Sequence, residues 1–296
     1  MKKNQTLLVT GASGHLGRRV VELLLEAGAG TVIAATRDPA KIADLAARGA
    51  VTRKADFDDE ASLVEAFADV DRLLLVSTDA VDRPGRRITQ HQAAVRAAVR
   101  AGVKHIVYTS MPNPGAESPV TIAVDHRLTE EAITATTLGF TILRNNLYTD
   151  LLLQSLPHAV ATGQLVTATG TGAIGYVTRE DCARAAAAAL ASSEAGRVTL
   201  DITGPAAVTQ AEVATIAAAI TGRALTHLAV DGPSLKAGLL GAGLPAPIAD
   251  LLVSFDLAAA KGNLAGASKA VLDLTGRAPT SVADFLAVHR DALVAA

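Results

Sequence analysis

Disulfide and metal chemistry are the first things this sequence lacks. Cys182 is its single cysteine, which excludes a disulfide framework and fits an intracellular, cytoplasmic compartment. Its histidines are scattered, with no HExxH or HxH pairing and no cysteine at a metal spacing, so no metal site is expected. An excess of one charge is missing too. The net charge of −2 gives no electrostatic case for nucleic acid or an anionic membrane surface. The most basic segment, "RPGRRITQHQAAVRAAVR", sets its arginines among alanines and valines at helical spacing and reads as an amphipathic helix. The start, "MKKNQTLLVT", runs into a strand without the apolar stretch and cleavage site of a signal peptide. Residues 151–178 carry no formal charge, but Pro157, Gly163, Gly170, Gly172 and Gly175 interrupt them, so no membrane span is expected.

What is present is apolar periodicity. Half of the 296 residues are apolar, enough to bury the core of one large domain or one and a half. "TLLVT", "TVIAAT", "AVTRKA", "DRLLLVS", "HIVYTS" and "FTILRN" read as strands, separated by amphipathic helical stretches. Near-continuous apolar strands in strict β–α alternation predict a Rossmann-type, doubly wound parallel sheet covered on both faces. After about residue 150 the alternation loosens. Thr178 with Asp181, and Thr209 with Glu212, mark helix starts, and "RVTLDITG" and "ALTHLAV" read as strands. The expected organisation is a nucleotide-binding domain over residues 1–150, to which part of 178–205 returns. A smaller, discontinuous α+β substrate lobe takes most of 151–296.

"VTGASGHLGRRVV" places Gly11, Gly14 and Gly17 where the first strand turns into the first helix. Gly11 permits the tight turn, Gly14 lets backbone approach a pyrophosphate, and Gly17 lets the helix pack closely on the sheet. The helix then aims its free N–H groups at the phosphates. The second strand ends in Arg37 and Asp38, twenty positions beyond Gly17. An acidic residue there would hold a ribose 2′-hydroxyl, whereas an arginine accommodates a 2′-phosphate. Asp38 precedes Pro39, a strong helix start, so its carboxylate is expected to cap that helix. That leaves Arg37 for the phosphate and predicts NADPH in preference to NADH.

The Gly11-x-x-Gly14-x-x-Gly17 spacing resembles the extended and atypical short-chain dehydrogenase/reductases. "AGVKHIVYTS", "HRLTEEAI" and above all "LRNNLYTD" resemble the NmrA-like branch, most like bacterial NAD(P)H:quinone oxidoreductases and triphenylmethane-dye reductases. The resemblance runs from Thr6 to the C-terminal "APTSVADFL". It implies that Ser13, His15 and Leu16 lie along the pyrophosphate and that Asp56 and Phe57 lie beside the adenine. It places Ser77 and Thr78 near the nicotinamide ribose, followed by Ser110 and Met111. Asn145, Asn146 and Tyr148 would line the nicotinamide end and the substrate cleft. Asp56 reads equally well as a turn residue, and Tyr148 as a packed aromatic.

One further absence bears on substrate. Short-chain reductases protonate product with a Tyr followed four residues later by a Lys, often with a Glu four further on. Aligning that Glu with Glu130 puts His126 at the Lys position and Ile122 at the Tyr position, on one helical stripe. Tyr108, Tyr148 and Tyr176 are followed at that spacing by Pro112, Leu152 and Glu180. An alkoxide needs a positioned acid, while a reduced quinone or dye tolerates its charge, so the expected activity is hydride transfer to a quinone or similar conjugated acceptor. His126, Tyr148 and Ser110 are the candidate proton or hydrogen-bond donors, with a structural histidine as the competing reading of His126. Asp125 and Glu131 read as solvated helix charges, with Arg127 and Glu131 spaced to pair. The alternatives are a carbonyl reductase with a non-standard donor and a non-catalytic NADP(H) sensor that binds a protein partner. A small-molecule acceptor is the expected partner, and a homodimer is compatible with the reading.

Overall fold

The alternating runs form seven strands of one sheet. They are β1 (Thr6–Val9), β2 (Thr31–Thr36), β3 (Val51–Lys54), β4 (Arg72–Leu75), β5 (His105–Ser110), β6 (Gly139–Asn145) and, late in the chain, Arg197–Ile202. A computed structural model describes residues 5–295; the first four, part of the stretch in which no signal peptide is expected, lie outside the described residues. Calling the short strands Gln164–Thr167 and Ala173–Ile174 β7 and β8 makes Arg197–Ile202 β9. The order is β3-β2-β1-β4-β5-β6-β9, with its reversal between β1 and β4. The pairings from β3 through β6 are parallel. The Phe140 N–H donates to Gly196 and the Asn146 N–H to Ile202, so both strands advance together and β9 is parallel as well. Every residue of β4 and β5 is buried, as a sheet covered on both faces requires.

The chain divides into two units. The first comprises residues 1–110, 125–144 and 182–200; the second comprises 111–124, 145–181 and 201–296. Residues 111–124 belong to the second unit, where Met111, Val120 and Ala123 pack in its core.

In the first unit, α1 (His15–Glu26), α2 (Ala43–Ala47), α3 (Glu60–Ala66), α4 (Arg86–Arg100) and α5 (Ala123–Thr134, its first residues belonging to the second unit) follow successive strands. Leu8, Ile33, Phe67, Leu73, Tyr108 and Ile133 share one buried cluster. In the second unit, β7 pairs in parallel with β11 (Thr226–Ala229), and β8 pairs antiparallel with β10 (Val208–Thr209). Its core gathers Leu156, Leu165, Ile174, Val213, Leu264 and Leu286. The helix Gln210–Thr221 opens with the Thr209/Glu212 capping box and closes on Gly222 in the left-handed region at φ 72°. Among the described residues no helix is long and apolar enough to cross a membrane.

The returning segment is fastened by one side chain. Arg72 on β4 is buried, and it donates through Nε to Leu190 O (2.9 Å), through Nη1 to Glu194 O (2.8 Å) and through Nη2 to Ala189 O (3.0 Å). Those carbonyls lie at and just beyond the end of the helix Arg179–Ala191, where no intrahelical donor remains for them. Arg72→Met should lower stability by about 2–4 kcal/mol, because it strips donors from buried carbonyls. Urea denaturation measures it, and a loss of less than about 0.5 kcal/mol, the size of an ordinary surface substitution, would contradict this role for Arg72.

Candidate cofactor and active site

The glycine turn is shaped by sterics. Gly11 sits at φ +64°, a conformation that glycine adopts without strain, and its carbonyl accepts from the Gly14 N–H at 2.9 Å. A Cβ on Gly17 would lie 2.4 Å from that same carbonyl oxygen, so only glycine lets α1 come this close. The first turn of α1 has no side-chain cap and no acidic residue, and Ser13, Gly14 and His15 are exposed around it. Among the described residues no side-chain cap or first-turn carboxylate neutralises its N–H groups and dipole, an arrangement suited to phosphate. Leu16 is buried behind the turn, and Ser13 Oγ lies 2.9 Å from Thr36 Oγ1.

At the end of β2 the two rival side chains separate. Asp38 accepts from the Ala40 N–H at 3.2 Å and caps the short helical turn Pro39–Ile42. Arg37 is exposed and makes no ion pair with any described residue, whereas nearby Arg18 is paired with Asp44. Asp56 forms a turn, accepting from the Asp58 N–H at 3.0 Å, and Phe57 packs against the first core.

The ends of β4 and β5 are held by polar groups that sequence reasoning did not find. Ser77 donates its backbone N–H to Thr109 Oγ1 at 2.9 Å. Thr78 is gripped through its backbone: its N–H donates to His91 Nε2 (2.9 Å), and Arg87 Nε donates to its carbonyl (2.7 Å). Arg87 Nη2 also reaches His126 Nε2 at 3.0 Å, and His126 Nδ1 lies 2.8 Å from the Tyr108 hydroxyl. His91 Nδ1 lies 3.0 Å from Thr129 Oγ1, which donates to Asp125 O.

These contacts fix the proton positions. A backbone N–H and a guanidinium only donate, so Nε2 of both rings must accept and each ring keeps its proton on Nδ1. Burial, with the Arg87 charge adding to it, lowers the His91 pKa to about 3 and pushes that of His126 well below the ordinary value. Burial raises the Tyr108 hydroxyl above its usual value.

Several expectations are therefore corrected. His126 is 4 % exposed, with its lone pair on Arg87 and its proton on Tyr108, and does not have the free, titrating imidazole of a proton donor. Ser110 donates to Glu130 Oε1 at 2.6 Å, and Arg144 grips that carboxylate through Nε (3.0 Å) and Nη2 (2.7 Å), so the Ser110 proton is directed inward. Ile122 precedes α5 rather than sharing its stripe, and packs on the second core. Asp125 is half-buried, not solvated, while Arg127 and Glu131 do pair at 2.7 Å.

The remaining candidates lie in the second unit. The Met111 side chain is a core residue. Asn146 is turned into backbone, donating to Leu264 O at 2.9 Å and accepting from the Leu147 N–H at 2.8 Å, so its amide is not a free substrate contact. Tyr148 is half-buried with the Arg179 guanidinium 5.1 Å from its ring centre. Asn145, at the end of β6, is buried with neither amide atom paired among the described residues. An unpaired buried amide is costly, and it is suited to a ligand carboxamide. The steric cradle at Gly11 and Gly17 fits a nicotinamide dinucleotide.

The signal for the hidden network was present. Arg87, His91, Ala94 and Ala98 fall at i, i+4, i+7 and i+11, one face of α4, and all are buried. The two polar residues on an otherwise apolar stripe marked a built site.

Because both rings refuse a proton in the folded state, stability should be full above about pH 6.5 and fall as pH drops, since the unfolded chain then binds protons the native one does not. Between pH 6.5 and 5 each ring should remove up to about 1.4 kcal/mol per pH unit. Urea midpoints across that range measure it, and His91→Gln should flatten the slope; an unchanged slope would contradict the neutral His91 assignment.

Comparison with known proteins agrees with this geometry. A family model described as NAD(P)H-binding matches residues 11–193. Quinone oxidoreductase 2 of Escherichia coli (strain K12) is 37% identical over 281 residues, covering 94% of this chain and 96% of that protein. The crystal structure of the NADPH-dependent quinone oxidoreductase of E. coli complexed with NADPH superposes with a TM-score of 0.90 at 35% identity, covering 95% of this chain and 99% of that one. The triphenylmethane reductase of Citrobacter sp. complexed with NADP(H) gives 0.89 at 34% identity, over 96% and 99%. The chain belongs to the NAD(P)H-binding family of oxidoreductases.

Proposed function

We propose that the protein is an NADPH-dependent reductase acting on quinones or similar conjugated acceptors, dye-like molecules included. The carrying observation is the arrangement of protons at the carboxyl edge of the first unit's strands. Ser110 directs its proton to Glu130, His126 is committed to Arg87 and Tyr108, and the Tyr108 hydroxyl is fully buried. Reduction of an isolated ketone generates an alkoxide and depends on a positioned acid. A reduced quinone is a stabilised anion that water can protonate, so the same arrangement suffices. The names of the E. coli and Citrobacter relatives support this choice of acceptor.

When bound, the nicotinamide supplies the hydride and carries the difficult chemistry. The chain's residues bind and orient it. Gly11, Ser13, Gly14, His15 and Leu16 would hold the pyrophosphate, with Gly17 setting the approach of α1. Arg37 would take the 2′-phosphate, Asp56 and Phe57 the adenine, and Ser77 and Thr78 the nicotinamide ribose. Asn145 would pair with the carboxamide through its unsatisfied amide. Tyr148 is the hydroxyl we propose as hydrogen-bond donor to the acceptor. On this reading the compartment is the cytoplasm, with Cys182 buried and outside any disulfide.

Nicotinamide absorbance followed with purified protein, NADPH and either a quinone or a simple ketone tests the acceptor. Oxidation with the quinone and little with the ketone is expected; comparable turnover of both would overturn the acceptor class, and tight binding with no turnover would favour the sensor. Arg37→Ala should weaken NADPH by roughly tenfold or more and NADH by less than about twofold, the scale of a lost charged hydrogen bond. Equal losses in titrations of the two cofactors would remove Arg37 from the 2′-phosphate.

A further inference from the structure

Arg87 is an expensive residue to bury. It is 5 % exposed and makes no ion pair with any described residue. Its Nη1 has no hydrogen-bond partner, and burial lowers its pKa. Asp125 and Asp79 attract it without forming an ion pair, and a buried cation so incompletely compensated is costly, so its place calls for work beyond charge pairing. That work is visible in what it touches. One turn of α4 carries Arg87 and His91, and together they take both hydrogen-bonding groups of the Thr78 peptide: the carbonyl accepts from Arg87 Nε, the N–H donates to His91 Nε2. Neither partner can move freely. Arg87 is braced by His126, which is braced by Tyr108, and His91 is braced by Thr129. Thr78 lies beyond the last residue of β4, where no sheet ladder would otherwise hold it.

We propose that Arg87 and His91 are positioning residues for the nicotinamide riboside end of the cofactor: they clamp the Thr78 peptide and thereby fix the Ser77 and Thr78 hydroxyls that receive the ribose. This rests on the reading that the end of β4 receives that ribose. The clamp acts through Thr78, and neither side chain needs to touch the cofactor.

The test compares two ligands and one amide. NADPH contains the nicotinamide riboside, and 2′,5′-ADP has the same phosphorylated adenosine without it. Affinities for both are measured by calorimetry in the wild type and in Arg87→Met, His91→Leu and His91→Gln, together with hydrogen exchange at the Thr78 amide. Loss of one clamp bond should weaken NADPH by roughly five- to tenfold in Arg87→Met and His91→Leu while 2′,5′-ADP stays within about twofold. His91→Gln, whose amide oxygen can accept from Thr78, should restore most of the loss. Thr78 exchange should accelerate in His91→Leu and recover in His91→Gln. Unchanged affinity for both ligands with unchanged exchange overturns the clamp. Equal weakening of both ligands also overturns it, because the effect is then one on folding at large. Faster exchange with unchanged NADPH affinity leaves the clamp intact but refutes its purpose, placing the error in the position of the ribose.

Discussion

The carbonyl oxygen of Gly11 occupies the space that a methyl group on Gly17 would need. Because nothing stands between them, α1 begins directly against the end of β1, and its uncapped first turn emerges at the carboxyl edge of the sheet. The Thr10 hydroxyl carries that placement sideways, donating to Leu74 O and accepting from the Val76 N–H, so the ends of β1 and β4 are set by one side chain. These two strands flank the reversal in strand order, where open α/β sheets bind their ligands. The position of Ser77 and Thr78 follows from the same few contacts.

Behind that edge the family's acid–base position has been turned to structural use. A tyrosine and a histidine do meet at hydrogen-bonding distance, but the tyrosine comes from β5 and is sealed in the core. Burial beside Arg87 keeps both histidines neutral, and neutral imidazoles can accept from one neighbour while donating to another. The ion pair of Glu130 with Arg144 treats the Ser110 hydroxyl in the same way, drawing its proton inward. On the proposed function these groups give the edge rigid orientation rather than acid catalysis, which suits acceptors that tolerate charge after reduction.

Period and punctuation made the sheet legible in the sequence: runs such as "HIVYTS" and "DRLLLVS" are buried at every strand position, and Thr209, Glu212 and Gly222 form their caps as spaced. The glycine turn was legible because its sterics are local. Its neighbours were harder. The tyrosine–histidine contact joins residues 18 apart on a strand and a helix, and the grip on Thr78 reaches it from residues 9 and 13 positions later. Spacing along one helix cannot reveal a partner on another element. Ile122 misled for the same reason, since a stripe continued by counting ran past the actual start of α5. Residues 111–124 changed units because their apolar side chains fit the second core, a choice that strand alternation does not encode.

Arg72 has a consequence for synthesis. Its three carbonyl acceptors lie more than a hundred residues further along, after all of the second unit's first two segments has been made. During translation the nucleotide-binding unit cannot close until residue 194 is outside the ribosome, and until then a guanidinium destined for the interior must stay in water. A protein cut after β6 would therefore possess every glycine of the phosphate turn and the residues of the first core, yet leave the Arg72 guanidinium without its three acceptors. The discontinuity of the unit makes its completion wait for residue 200 of 296.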